Sequence, residues 1–186
     1  MTCILETERL ETERLLLRRP ERRDIPALVP LANNFDVAKN LASMPHPYAA
    51  QDAENFVAKS NETRAAGTDF NFAIVRKPDG VLMGCIALHV KDGEFEFGYW
   101  LGQPHWRQGY ATEAARRLIA FAFDELNAES VWAGWFHDNP RSGNVLAKLG
   151  CAPGGFDKRH CLARGMDIGC NHVTLSRVAF TDRRAA

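Results

Sequence analysis

The stretch Glu96-Phe-Gly-Tyr-Trp-Leu-Gly-Gln-Pro-His-Trp-Arg-Gln-Gly-Tyr-Ala-Thr-Glu-Ala114 decides the fold of this 186-residue chain. Apolar and polar residues alternate over residues 94–101, which predicts a strand with Glu94 and Glu96 on one face. After Gly109, small and apolar residues recur at helical spacing, which predicts a long amphipathic helix. A strand, a glycine-containing loop and a helix therefore follow one another here.

The start of this helix is a candidate cradle for a diphosphate. A helix N-terminus exposes unpaired N–H groups and the positive end of its dipole. Small residues at Gly109 and Ala111 would let a pyrophosphate approach that backbone closely. A glycine before a helix more often forms a plain turn, so the motif alone is weak evidence for diphosphate binding. It is neither a Gly-Lys-Ser/Thr phosphate loop nor the three-glycine dinucleotide fingerprint.

The rest of the chain supplies further strands and helices around this unit. We predict strands over residues 11–19, 70–76, 81–90, 131–136 and 172–180, a short or kinked helix from Asp24, and helices over 50–66 and 142–149. Antiparallel strands followed by a β-α-β crossover predict an α/β fold, with a mixed, mostly antiparallel central sheet and helices on both faces. No linker or composition break suggests a second domain within residues 1–186.

Composition and charge narrow the class of protein. With 46% hydrophobic residues, the chain can form a core without disulfides or metals. Lys plus Arg equal Asp plus Glu, 23 against 23, so we expect neither nucleic acid nor a membrane as a partner. The five cysteines follow no secreted framework and no apolar run is long enough to span a membrane, so we expect a cytoplasmic protein. The oligomeric state is left open, with a homodimer as one option.

Residues 96–114 resemble the central motif of RimJ/RimL-type acetyltransferases of the GNAT superfamily. Two further segments agree in order and spacing. Thr12-Glu-Arg-Leu-Leu-Leu-Arg18 resembles the first strand of the family, and Asn139-Pro-Arg-Ser-Gly-Asn-Val-Leu-Ala-Lys-Leu-Gly150 resembles its motif after the fifth strand. The resemblance covers residues 11–150. It implies the GNAT fold, acetyl-CoA as cosubstrate and acetyl transfer to a primary amine.

The resemblance also implies which residues hold acetyl-CoA, because the family binds its pantetheine and pyrophosphate with the fourth strand, the loop and the following helix. The matching positions, with two from the later motif, are Trp100, Leu101, Arg107, Gln108, Gly109, Tyr110, Ala111, Thr112, Asn139 and Ser142. The backbone N–H groups near Trp100 and Leu101 are expected to polarise the thioester carbonyl. Arg107 stands where the superfamily commonly has glycine, and it adds a cation near the phosphates.

Glu96 and Ser142 are the catalytic candidates. An α-amine with a pKa of about 8 and a lysine with a pKa of about 10.4 are largely protonated at neutral pH, so a base helps. Glu96 matches the strand glutamate of the family; the alternative is that it pairs with an arginine or orients the N-terminal segment. By resemblance to the serine of this branch, Ser142 is the candidate group that protonates the departing CoA thiolate or hydrogen-bonds its sulfur. Its alternative role is to cap a helix from Gly143. Glu113 is expected to complement the helix dipole.

No metal site is expected, because His160, Cys161, Cys170 and His172 lack paired zinc-ligand spacing.

By resemblance, the acceptor is a protein N-terminal α-amine. Two alternatives stay open: a small-molecule amine, such as a polyamine, amino acid or antibiotic, and a GNAT-fold module that binds acyl-CoA without turnover. Residues 152–171 match the family poorly, so the sequence makes no prediction for the acceptor-side wall.

Overall fold

The structure, a computed structural model, describes residues 9–185. The strands are β1 Arg9–Glu11, β2 Leu15–Arg18, β3 Asp69–Arg76, β4 Leu82–Lys91, β5 Glu94–Leu101, β6 Ser130–Phe136, β7 Ala152–Cys161 and β8 Met166–Ser176. The helices are α1 Ile25–Ala32, α2 Phe35–Ala38, α3 Ala50–Ala66, α4 Tyr110–Asp124, α5 Pro140–Leu149 and α6 Arg177–Ala185, with 3-10 turns at Arg22–Asp24 and Gln103–His105. The strands form one sheet in the order β1-β2-β3-β4-β5-β6-β8-β7.

The sheet is mixed and mostly antiparallel, as predicted. Only β5 and β6 run parallel, because α4 connects them by a crossover. Neighbouring residues of β3 face opposite sides: Phe72 packs in one apolar cluster with Leu118 of α4, and Ala73 packs in another with Val57 of α3. Helices therefore cover both faces. Among the helices of the described chain, none combines the length and apolarity needed to cross a bilayer.

The predicted first strand over residues 11–19 is confirmed only over β2, Leu15–Arg18. The chain instead forms two short antiparallel strands, β1 and β2, with Leu10 opposite Leu17. Both leucines are fully buried, because residues paired across a sheet share a face. The turn between the strands is closed by the Leu15 N–H, which donates to the Thr12 hydroxyl at 2.9 Å. The pentapeptide Glu-Thr-Glu-Arg-Leu occurs twice in succession, at residues 6–10 and 11–15, and the first copy suggests only an extension of the N-terminus. Arg9 and Leu10 of that first copy are instead part of the sheet, while residues 6–8 lie outside the described residues.

The predicted final strand over residues 172–180 is confirmed only as far as residue 176. Residues 152–161 form the unpredicted strand β7, whose start is obscured in the sequence by Pro153, Gly154 and Gly155 and by a register irregularity before Phe156. β8 begins at Met166, earlier than the predicted strand over 172–180. Residues from Arg177 onward turn into α6.

The C-terminal turn into α6 follows from packing on α4. Phe180 is 5% exposed, and its ring centroid lies 5.2 Å from that of Phe123. The helical conformation lets Phe180 fold back onto α4 rather than continue along the sheet.

Candidate active site

The cleft between β5 and β6 is the centre of the site. These parallel strands pair at a single register position, Glu96 opposite Trp132. Past that position they separate, and residues 97–101 and 133–135 line a cavity of about 710 Å³. In open α/β sheets, ligands bind outside the carboxyl ends of the strands where neighbours diverge. The cleft has that position and is large enough for a cofactor-sized ligand.

Two helix N-termini face this cavity. Residues 109–112 at the start of α4 and residues 139–142 at the start of α5 both line it. Each helix end presents unpaired N–H groups and positive dipole charge. Gly109 has a φ of +83°, a left-handed conformation that glycine adopts at no steric cost. The predicted diphosphate cradle therefore opens into the cleft.

Four cationic side chains line the same cavity: Arg107, Arg141, Lys148 and Lys39, the last of which pairs with Asp36. The Arg141 guanidinium lies 5.1 Å from the ring centroid of Trp106. Arg107 has a φ of +63°, which explains in backbone terms why glycine suits this position. Arg141 and Lys148 were not predicted as site residues, although their seven-residue spacing places them on one face of α5.

The predicted cosubstrate-binding residues meet at the cavity with one exception. Those that line it are Trp100, Leu101, Arg107, Gly109, Tyr110, Ala111, Thr112, Asn139 and Ser142. Gln108 is not among the described residues that line it. Its side-chain amide donates to the Pro104 carbonyl at 3.1 Å, and its backbone carbonyl accepts from Arg14 Nη1 at 3.1 Å. Gln108 therefore stabilises the loop through these two hydrogen bonds instead of lining the cavity.

Glu113 ties the N-terminal strands to α4. Its Oε1 accepts from the Thr12 hydroxyl at 2.5 Å and from the Arg14 backbone N–H at 3.0 Å, while Oε2 accepts from Arg14 Nε at 2.7 Å. Partial burial alone would raise the pKa of Glu113, but the hydrogen bonds from Thr12 and Arg14 outweigh it and lower that pKa. Glu113 lies in the first turn of α4, as the dipole prediction requires, but it also anchors the turn between β1 and β2.

Ser142 is the third residue of α5, so the alternative in which it caps the helix is wrong. The helix begins at Pro140, and the Asn139 side chain is the cap, accepting from the Ser142 N–H at 3.3 Å. The Ser142 Oγ lies 2.9 Å from the phenol oxygen of Tyr99. Burial raises the pKa of Tyr99 to about 12, against a smaller lowering by the Ser142 hydrogen bond. Tyr99 therefore stays protonated over the physiological range.

Glu96 has an arginine partner. Its Oε1 accepts from Arg159 Nη1 at 2.8 Å, and the two side chains are 30% and 28% exposed. The Arg159 guanidinium also lies 5.1 Å from the ring centroid of Trp132, which faces Glu96 across the strand pair. Glu96 is not among the described residues that line the cavity. A proton passing from the cleft to Glu96 would need a bridging water.

The β7–β8 hairpin contacts the 36–41 segment, most of whose residues line the cavity. In its turn, Arg164 Nε donates to the Lys39 carbonyl at 2.7 Å and Arg164 Nη1 pairs with Asp138 at 2.6 Å. The Cys161 thiol donates to the Leu41 carbonyl at 3.4 Å. The hydrogen bond from the Arg164 guanidinium to Asp138 lowers the pKa of the Asp138 carboxyl group. The hairpin thus contacts the cavity-lining residues Lys39 and Leu41, although none of its described residues lines the cavity itself.

Comparisons with known proteins agree with this geometry. The acetyltransferase (GNAT) domain model matches residues 14–152. The uncharacterized N-acetyltransferase p20 of Bacillus licheniformis is 30% identical over 161 residues, covering 85% of this chain and 90% of the relative.

Two solved structures share the fold at lower identity. RimL, a ribosomal L7/L12 α-N-protein acetyltransferase in complex with coenzyme A, aligns with a TM-score of 0.82 at 17% identity, covering 92% of this chain and 99% of RimL. The microcin C7 self-immunity acetyltransferase MccE, in complex with acetyl-CoA and AMP, aligns with a TM-score of 0.79 at 18% identity, covering 89% and 93%. The chain belongs to the GNAT acetyltransferase family and is an acetyl-CoA-dependent N-acetyltransferase.

Proposed function

We propose that this enzyme acetylates the N-terminal α-amine of a protein. The observation that carries the proposal is the cleft between β5 and β6, whose lining combines cations, two helix N-termini and most of the 36–41 segment. An anionic cosubstrate and a separate acceptor can therefore meet between the strands. The choice of acceptor is supported by the RimJ/RimL-like motif over residues 96–114 and by the fold shared with RimL, which is named as an α-N-protein acetyltransferase.

The phosphates of acetyl-CoA would lie against the start of α4, with Arg107, Arg141 and Lys148 around them. Backbone N–H groups and guanidinium groups are strong hydrogen-bond donors to phosphate oxygens. Their positive charge offsets the negative charge of the phosphates. The residues present fit this group, because the cavity combines a glycine that leaves the helix end open with cations on two different elements. Thr112 adds a hydroxyl, and Asn139 lies where the pantetheine arm would pass.

In the transfer step, the acceptor nitrogen attacks the thioester carbonyl carbon and the carbon–sulfur bond breaks. Glu96 accepts the proton that the amine loses, through water, because it lies outside the cavity lining. Ser142 donates its hydroxyl proton to the leaving sulfur and regains one from solvent. N–H groups near Trp100 and Leu101 polarise the carbonyl. Transfer is direct, since neither Glu96 nor Ser142 needs to form a covalent bond with the acetyl group.

The acceptor would enter past α2 and the β7–β8 hairpin. Charges at this end are paired, Asp36 with Lys39 and Asp138 with Arg164. Paired charges give no strong single-sign field, so this entrance does not select a polycation. That balance favours a peptide N-terminus over a polyamine. We also propose a cytoplasmic location, where such acceptors and reduced thiols both occur.

Thiol release from acetyl-CoA tests the proposal. The panel contains peptides with free N-termini, the same peptides with blocked N-termini and one internal lysine, and small amines including polyamines, amino acids and aminoglycosides. We expect release only with free N-termini, with the acetyl group located on the α-nitrogen by mass spectrometry. Turnover confined to small amines would reassign the acceptor. Binding of CoA by thermal shift without release from any acceptor would make the protein a binding module instead.

A further inference from the structure

Three side chains of metal-ligating type meet on the β7–β8 hairpin. Asp157, Cys170 and His172 each bring one ligand atom into a group whose atoms lie within 4.8 Å of one another. Cys170 and His172 are two residues apart on β8 and share a face, and Asp157 lies opposite Cys170 on β7. None of the three is among the described residues that line the cleft. The cluster is thus separate from the acetyl-CoA site.

The contact between His172 and Asp157 is unusual for an ion pair. His172 Nε2 lies 2.9 Å from Asp157 Oδ1, yet Nε2 is shielded from solvent and forms no hydrogen bond with any other described residue or with Asp157. A buried ring nitrogen without a partner costs free energy comparable to a lost hydrogen bond. Two electron-pair donors that approach this closely outside hydrogen-bond geometry suit a shared cation. Trp132 stacks on the imidazole at 5.3 Å and holds the ring in this orientation.

The surrounding charges also favour a divalent cation. Arg159 is the neighbouring positive group, but its Nη1 is directed at Glu96 at 2.8 Å, and its Nε remains 3.8 Å from Asp157. With a neutral Cys170 thiol, Glu96, Asp157 and Arg159 together carry one net negative charge. A divalent ion that displaces the thiol proton brings the cluster to neutrality. Arg159 therefore balances only one of the two carboxylates, and a divalent metal ion can balance the remaining negative charge.

We propose that Asp157, Cys170 and His172 bind a zinc ion. Thiolate sulfur, imidazole nitrogen and carboxylate oxygen form a typical zinc ligand set, whereas calcium and magnesium prefer oxygen ligands alone. On binding, the Cys170 sulfur forms a bond to zinc and releases its proton to solvent, and water fills the fourth position. The ion links β7 to β8 next to the Arg159–Glu96 pair. No activity assay is needed to detect it.

Cobalt titration of the chelator-treated, reduced full chain tests the site. We expect one equivalent of Co²⁺ to give tetrahedral d–d bands and a thiolate-to-cobalt charge-transfer band, with zinc displacing it. Cys170→Ser should abolish the charge-transfer band. Asp157→Asn should weaken zinc binding by at least the roughly 10–100-fold that loss of an outer-shell partner costs. Asp157 is 49% exposed, so this second variant keeps the test valid if Cys170→Ser folds poorly.

Matched controls separate this site from other ligands on the chain. His160 pairs with Asp167 at 2.9 Å on the same hairpin without a thiol, so His160→Gln should leave cobalt and zinc binding unchanged. Cys3→Ser removes a thiol outside the described residues and should also change nothing. Zinc should raise the melting temperature of the parent but not of Asp157→Asn. Absence of stoichiometric binding, or a charge-transfer band that survives Cys170→Ser, would overturn the proposal.

Discussion

Arg14 and Glu113 form a two-point ion pair across the loop that borders the cleft. Arg14 Nε and Nη2 lie 2.7 Å and 2.6 Å from Glu113 Oε2. The same guanidinium donates to the Gln108 carbonyl and lies 4.6 Å from the ring centroid of Tyr110. One arginine of the N-terminal hairpin therefore supports the backbone that would cradle the phosphates.

We predict that Glu113→Gln lowers the free energy of unfolding by about 1 kcal/mol near pH 7, because the substitution removes a charged acceptor of several hydrogen bonds. The pKa of Glu113 is lowered below its usual 4.5. The stabilisation of the fold by ionised Glu113 is therefore fully present above pH 4.5. It is lost as pH falls through the lowered pKa of Glu113 in the folded protein. Urea unfolding of both proteins at several pH values should show the difference shrinking in acid. Glu94→Gln, at an exposed position, is the control and should show no such difference.

Arg107 gives a second prediction, in which stability and binding change in opposite directions. Arg107→Gly should stabilise the fold by about 1 kcal/mol, because glycine accepts a φ of +63° without strain. It should also weaken CoA binding. The loss should be largest at low ionic strength, where salt screens the attraction between the arginine cation and the phosphates least. Arg107→Ala should lose the same affinity without gaining stability. CoA affinity that stays unchanged at both low and high salt would leave Arg107 as a solvated loop charge.

The parts of the fold that sequence could predict are those with strong local periodicity. The alternation over residues 94–101 and the apolar spacing after Gly109 predict β5 and α4, and the Lys77-Pro-Asp-Gly80 turn predicts the hairpin before them. β7 escaped prediction because its residues are almost all exposed and no apolar alternation marks it. Helix α6 escaped because its packing partner, Phe123, lies more than fifty residues away.

The same limit applies to the site. The motif over residues 96–114 predicts the cradle, since its residues are contiguous in the chain. The sequence leaves an arginine partner for Glu96 as an alternative but does not identify Arg159, which comes from an unpredicted strand. It does not predict the contact of Tyr99 with Ser142, because alternation marks Tyr99 only as a strand residue. The cluster at Cys170 was missed for a similar reason: spacing along one chain segment does not show that Asp157 lies opposite on the neighbouring strand.

The Tyr99–Ser142 hydrogen bond yields a third prediction. Ser142→Ala should lower kcat by about 10²-fold if Ser142 protonates the leaving sulfur, with CoA affinity nearly unchanged. Tyr99→Phe should cost about tenfold, because a phenol with a pKa of about 12 stays protonated and only orients the serine. The double variant should be no slower than Ser142→Ala alone. Additive losses in kcat would show instead that Tyr99 acts independently of Ser142.

The final prediction concerns Glu96, whose pairing with Arg159 allows both a catalytic and a structural role. Glu96→Gln keeps the shape and can still accept from Arg159, but it removes the proton acceptor. Turnover near neutral pH should therefore fall by about 10²-fold while CoA affinity is kept. The loss should shrink as pH approaches the pKa of the acceptor amine, because free amine then needs no base.

Arg159→Gln is the matched variant for this prediction. It breaks the same ion pair but leaves the carboxylate of Glu96 in place, so a catalytic Glu96 would still accept a proton. Turnover of this variant should then exceed that of Glu96→Gln, and its pH profile should follow that of the parent. If both variants lose the same activity at every pH, or lose CoA affinity together, the pair is structural. The proton of the amine would then leave through water, without help from Glu96.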